Sequence, residues 1–111
     1  EIEYYSPRSH GLWKPGMDHN VIVSENMDNI DDSSFVIAST EGKDMGTLFE
    51  CGYAFARGVP VVYYFKGTGN FNIMLAATGL AVCESEQHLR QYLNLIKSHG
   101  LTKLQYTGGM E

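Results

Sequence analysis

Two stretches of the chain, FVIAS at residues 35–39 and PVVYYF at 60–65, are apolar without alternation, the pattern of strands covered on both faces in a parallel sheet. Between them, residues 47–57 read as a helix that Gly58 ends at its C′ position, with Pro60 just beyond. Upstream, IEYYSP at 2–7 reads as a short strand stopped by Pro7. From 17 to about 32, Val23, Met27 and Ile30 recur at helical spacing as one stripe of an amphipathic helix. Downstream, the loop KGTGN leads to a short helix over 72–78, and LAVCE at 80–84 reads as a strand. Ser85 then caps a helix whose Leu89, Leu93 and Ile96 share one side until Gly100 stops it. Alternating strand and helix predict an α/β three-layer sandwich around a mostly parallel sheet.

In such sheets ligands bind outside the carboxyl ends of the strands, which singles out the segment TEGKDMGTLFE. It carries Asp44 and Glu50 six residues apart, with Gly46 between them. Thr47-Leu48-Phe49-Glu50 fits the capping-box pattern, in which a carboxylate at the third helical position bonds back to the N-cap amide. The same placement favours the charged form, and an ionised, fixed carboxylate at a ligand edge is a competent nucleophile. Asp44 either shapes the turn before Gly46 or joins Glu50 in a site. Two acids this close disfavour each other's ionisation unless donors intervene, and the hydroxyls of a sugar are suitable donors.

Composition narrows the partners. The net charge is -5 and the eight basic residues are scattered, which argues against a nucleic-acid polymer and for a small neutral ligand. No apolar run approaches the ~20 residues of a membrane span. Cys51 and Cys83 lie 32 positions apart with no metal-ligand spacing, so core thiols in a reducing, cytoplasmic setting are expected. The four histidines show no metal spacing, and His10 alone falls near a ligand loop. Trp13 could stack on a base or anchor packing. GTGNFN lacks the glycine spacing and the Lys-Ser/Thr ending of a phosphate loop. A chain of 111 residues is a single domain. Doubly wound domains usually open with a strand and helix ahead of the first element read here, so residues 1–111 are expected to lack an N-terminal strand and helix.

The run FVIAS…DMGTLFECGYAFARGVPVVYYF is similar to the nucleoside 2-deoxyribosyltransferase family. That family's signature is an apolar strand, a loop with Asp-x-Gly, a glutamate six residues after the aspartate, then Gly-x-Ala and Gly-x-Pro-Val. Here these are Asp44, Gly46, Glu50, Gly52, Ala54, Gly58, Pro60 and Val61. YYSPRSHG resembles the family's second strand and its loop, and the likeness runs from about Tyr4 to Asn72.

The resemblance implies a flavodoxin-like (Rossmann-like) fold and transfer of a 2-deoxyribosyl group between nucleobases, with no metal or organic cofactor. Glu50 would be the nucleophile that forms a covalent glycosyl-enzyme. Asp44 matches the position that holds deoxyribose hydroxyls, where a carboxylate repels a 5′-phosphate and so favours free nucleosides. Asn72 matches an asparagine supplied to a neighbouring subunit, which implies a homo-oligomer; its other reading is an ordinary helix N-cap. Where the family often carries a base-contacting aspartate, this chain has Asn26, an amide that offers donor and acceptor but cannot ionise. The partners implied are a 2′-deoxynucleoside and a free nucleobase, as in nucleotide salvage. The alternatives are an N-glycosidic hydrolase of deoxynucleosides or their 5′-monophosphates, and a non-catalytic nucleoside-binding domain.

Overall fold

The computed structural model describes residues 4–7, 15–67 and 69–111. The two unbroken apolar runs lie side by side in it. Strand β2 (Phe35–Ser39) pairs in parallel with β3 (Val61–Tyr64), Val36 opposite Val61 and Ser39 opposite Tyr64. Strand β4 (Ala81–Cys83) joins the far side of β3, and the two-residue β1 (Tyr4–Tyr5) joins β2. The four parallel strands stand in the order β1-β2-β3-β4.

Successive side chains of a strand point to opposite faces, and each face gathers its own core. Tyr5, Val36, Ala38, Val61, Tyr63 and Val82 pack under α1 (His19–Asp31), α2 (Met45–Ala56) and α3 (Ile73–Thr78) through Ile30, Cys51, Ala54 and Ala76. Phe35, Val62, Ala81 and Cys83 pack under Tyr92 and Ile96 of α4 (Glu86–His99). Val36 and Val62 are sealed from solvent, each contributing about 1.5–3 kcal/mol of burial. Helices on both faces of a parallel sheet are the Rossmann-like α/β sandwich that the sequence predicts.

In a sheet of order 2-1-3-4-5 the neighbour of the third strand is the first. That neighbouring place, beside β2, is where Tyr4–Tyr5 lies, with Tyr4 opposite Phe35 and Tyr5 opposite Val36. The expected strand and helix ahead of Glu1 concern sequence outside the chain.

Helix boundaries follow the capping chemistry. Ser85 accepts from the His88 amide and Asn72 from the Leu75 amide, as cap-type residues should. Gly58, at φ 79°, takes the left-handed conformation that closes α2. Helix α1 differs from expectation: Ile22 and Ile30 are its buried residues, whereas Val23 is exposed and Met27 only half-buried. In α4 the most buried residues are Tyr92 and Ile96, with Leu89 and Leu93 flanking them. Burial of Tyr92 is possible because its hydroxyl donates to the Thr102 carbonyl. After α4 the chain runs back over the sheet edge. The Leu104 amide donates to the Leu80 carbonyl, Phe71 bridges in parallel to Met110, and Tyr106 meets the Phe71 ring edge-on. Among the described residues no helix is long and apolar enough to cross a membrane.

Cys51 and Cys83 are both buried and unpaired, and burial pushes each thiol up to about 11. A thiol reagent such as dithionitrobenzoate should therefore react with neither in the native protein and with both after unfolding. Rapid native reaction of Cys51 would contradict the packing of α2 against the sheet.

Candidate active site

The site begins with the cap of α2. Asp44 has extended backbone angles, and its Oδ1 accepts the Gly46 amide at 3.1 Å while Oδ2 accepts the Thr47 hydroxyl at 3.0 Å. The helix therefore starts at Met45, two residues before the expected start, and Thr47 is a buried third residue at 3% exposure. The capping-box reading of Glu50 is corrected by this. Asp44 takes the cap because its short carboxylate reaches the orphan amide two residues on, and Thr47 spends its hydroxyl on Asp44. Glu50 becomes the sixth helical residue, in the second turn, with no helix end to satisfy.

Glu50 is half-buried, and the Tyr5 hydroxyl donates to its Oε2 at 2.6 Å. That distance is typical of a charge-assisted bond. Tyr5 is 1% exposed. Burial, then the hydrogen bond to Glu50, then its negative charge push the phenol well above its ordinary value. The side chain is thus a protonated donor at neutral pH.

The same helical turn opens a cavity of about 210 Å³ between α1 and α2. Val23, Asn26 and Met27 line it from α1; Gly46, Phe49 and Glu50 line it from α2. Each triplet has i, i+3, i+4 spacing, which puts its three side chains on one helix face. Glu50 and Asn26 are the polar side chains of this lining, and Val23, Met27 and Phe49 supply apolar walls. Val23 and Met27, two apolar positions of α1 outside the core, face this space. Three predicted site residues, Asn26, Gly46 and Glu50, are brought together here.

Two others are placed elsewhere. Asp44 is exposed at the head of α2, and Asn72 is exposed at the head of α3, where its side chain caps the helix. A second cavity, about 130 Å³, lies at the carboxyl ends of the strands between Ser6, Pro7, Ile37, Ser39, Thr47, Tyr64 and Leu89. His10 and Trp13 fall outside the described residues. Among those described, no three His, Cys, Asp or Glu side chains gather as a metal site.

A family model for nucleoside 2-deoxyribosyltransferases matches residues 6–91. The chain belongs to the nucleoside 2-deoxyribosyltransferase family. Among solved structures, the Clostridium botulinum CMP N-glycosidase BcmB is similar, with a TM-score of 0.56 and 20% identity over 68% of this chain and 73% of that one. At that identity the likeness carries the fold. No curated protein matches the chain at a significant level.

Within this family member, the sequence reading missed Tyr5 as a partner of Glu50. The two are 45 positions apart, and no local pattern links them. A tyrosine at the carboxyl end of a short strand, the edge at which the acid-bearing helix begins, was the available signal.

Three outcomes are expected. Gly46→Ala places a methyl 3.5 Å from Asp44 Oδ1, an ordinary contact, so the melting temperature should hold or rise while ligand affinity falls as the cavity fills. Asp44→Ala should lower unfolding free energy in urea by about 0.5–2 kcal/mol through loss of the cap. The folded-state value of Tyr5 lies above the unfolded value of about 10. Its contribution is therefore complete below that pH and is lost as pH rises toward the folded value. Tyr5→Phe should accordingly flatten the alkaline decline of stability, measured by urea unfolding from about pH 9 upward.

Proposed function

We propose that the chain transfers a 2-deoxyribosyl group between nucleobases, with Glu50 as the nucleophile. One observation carries the reading: Glu50 does not cap its helix, is gripped by Tyr5, and lines a cavity opposite Asn26.

In the first step a carboxylate oxygen of Glu50 attacks the anomeric carbon. The carbon–nitrogen bond breaks, its electron pair leaves with the base, and the base takes up a proton from solvent. In the second step a nitrogen of another base attacks the ester carbon from the vacated face; the ester carbon–oxygen bond breaks to restore the carboxylate, the nitrogen's proton passes to solvent, and the net outcome is retention. Tyr5 holds the carboxylate in register for the attack.

The other residues take roles that their placement supports. Asn26 presents a neutral donor and acceptor to the base edge, while Val23, Met27 and Phe49 suit its apolar faces. Gly46 leaves room for the sugar. Asp44 accepts one cap bond on each oxygen, and a carboxylate has about four lone-pair sites, so it can cap α2 and still accept sugar hydroxyls. Asn72 stands outside the cavity of its own chain, and we assign it to the 5′ side of a substrate held by a second copy in a homo-oligomer. The reaction belongs to deoxynucleoside salvage in the cytoplasm.

A second reading is hydrolysis of the N-glycosidic bond, the activity named for the CMP N-glycosidase whose fold is similar. Water then replaces the second base, and Asp44 disfavours a 5′-phosphate.

Incubation with a 2′-deoxynucleoside and a different free base should yield the exchanged nucleoside by chromatography. Glu50→Ala should reduce the rate on the order of a thousandfold or more. Free base and free sugar without exchange would replace transfer by hydrolysis, and binding without turnover would leave a nucleoside-binding domain. Asn26→Asp, by adding an ionisable group opposite Glu50, should add a limb to the pH–rate profile.

A further inference from the structure

We infer that Asp31, Tyr53 and Arg57 form a latch that sets the position of α1 against α2, and with it the width of the cavity between Asn26 and Glu50. The Tyr53 hydroxyl donates to both oxygens of Asp31, at 3.1 and 2.9 Å, and Arg57 Nε donates to Oδ1 at 2.9 Å. The Arg57 guanidinium lies 5.9 Å from the centroid of the Tyr53 ring. One carboxylate on the last residue of α1 thus gathers two side chains, from the last turn and the C-cap of α2.

Local helix physics does not ask for an acid there. A negative charge at a helix C-terminus opposes the macrodipole, yet α1 ends with Asp28, Asp31 and the C-cap Asp32 and has no basic residue in its last turn. The reason for Asp31 is therefore across the gap, on α2. Its carboxyl is held below the usual range by Arg57 first and Tyr53 second.

The latch sits about one turn from the cavity on both helices. Tyr53 follows Glu50 by three positions, and Asp31 follows the cavity-lining Met27 by four. Glu50 is tied to β1 through Tyr5, a connection that does not pass through α1. Loosening the latch should then shift Asn26, Val23 and Met27 relative to a nucleophile that stays in place. The predicted result is weaker ligand binding with the chemical step preserved. Because Arg57 is 57% exposed and Asp31 28%, the latch is screened by salt.

The kinetic half of this inference rests on the proposed glycosyl transfer; the structural half does not. Both are tested on the full chain with Arg57→Gln, Asp31→Asn and the exchanged pair Asp31→Arg with Arg57→Asp. Hydrogen–deuterium exchange of the α1 amides should quicken roughly two- to fivefold in each single variant, with α4 unchanged and partial recovery in the exchanged pair. With a 2′-deoxynucleoside as substrate, KM should rise roughly two- to fivefold with kcat within about twofold. The wild-type KM should rise with ionic strength, and that of Arg57→Gln should not. Unchanged exchange in α1 overturns the latch. Quickened exchange with KM unmoved, or with kcat and KM falling together, overturns its positioning role. If the wild type neither turns over nor binds nucleosides, the functional reading fails and the exchange result alone decides the latch.

Discussion

The arrangement of this site depends on which side chain begins α2. Asp44 takes the orphan amide of Gly46 and the hydroxyl of Thr47 at once, and that double engagement sets the helical phase of everything after it. Shifting the first residue by two would turn each later side chain through about 200°. With Asp44 at the cap, Glu50 falls in the second turn on the face toward α1, while Cys51 and Ala54 turn into the core. The aspartate thus acts on the glutamate through the backbone, whatever it also does for a ligand.

The sheet completes the geometry. Alternation along β2 and β3 divides the core into two faces, and α1, α2 and α3 crowd one of them. The carboxyl edge of a parallel sheet is where helices start, so the ligand edge and the head of α2 coincide. Tyr5 reaches Glu50 from the next strand, adding a fixed hydrogen bond to a group that the helix alone would leave on a mobile stem.

Much of this was readable from residue order. Strands without alternation, Gly58 and Gly100 as stops, and Ser85 and Asn72 as caps follow from local chemistry, and the structure places them accordingly. The start of α2 was misread because Asp44 and Thr47 are both good caps three residues apart, and only the bond between them decides which yields. The stripe of α1 was misassigned for a different reason. A face that lines a cavity is as apolar as one that meets the core, so periodicity alone cannot separate Val23 and Met27 from Ile22. The family resemblance pointed to Glu50, Asp44, Asn72, Asn26 and Gly46 as one site, of which Asn26, Gly46 and Glu50 line a common cavity and Asp44 and Asn72 do not. It carried no sign that Tyr5 would join them or that residues 106–111 would lie beside Phe71, since those contacts bridge long stretches of chain.

The place of β1 in the sheet bears on how such a protein would fail. Among the described residues β1 stands at the end of the strand order and pairs with β2 through Tyr4 and Tyr5, and elements at a sheet's edge open at lower free energy than its centre. The grip on the acid is carried by that strand, whereas the cavity walls belong to helices seated on the central sheet. Mild heat or denaturant should then part Tyr5 from the Glu50 carboxylate while the body of the molecule is still folded.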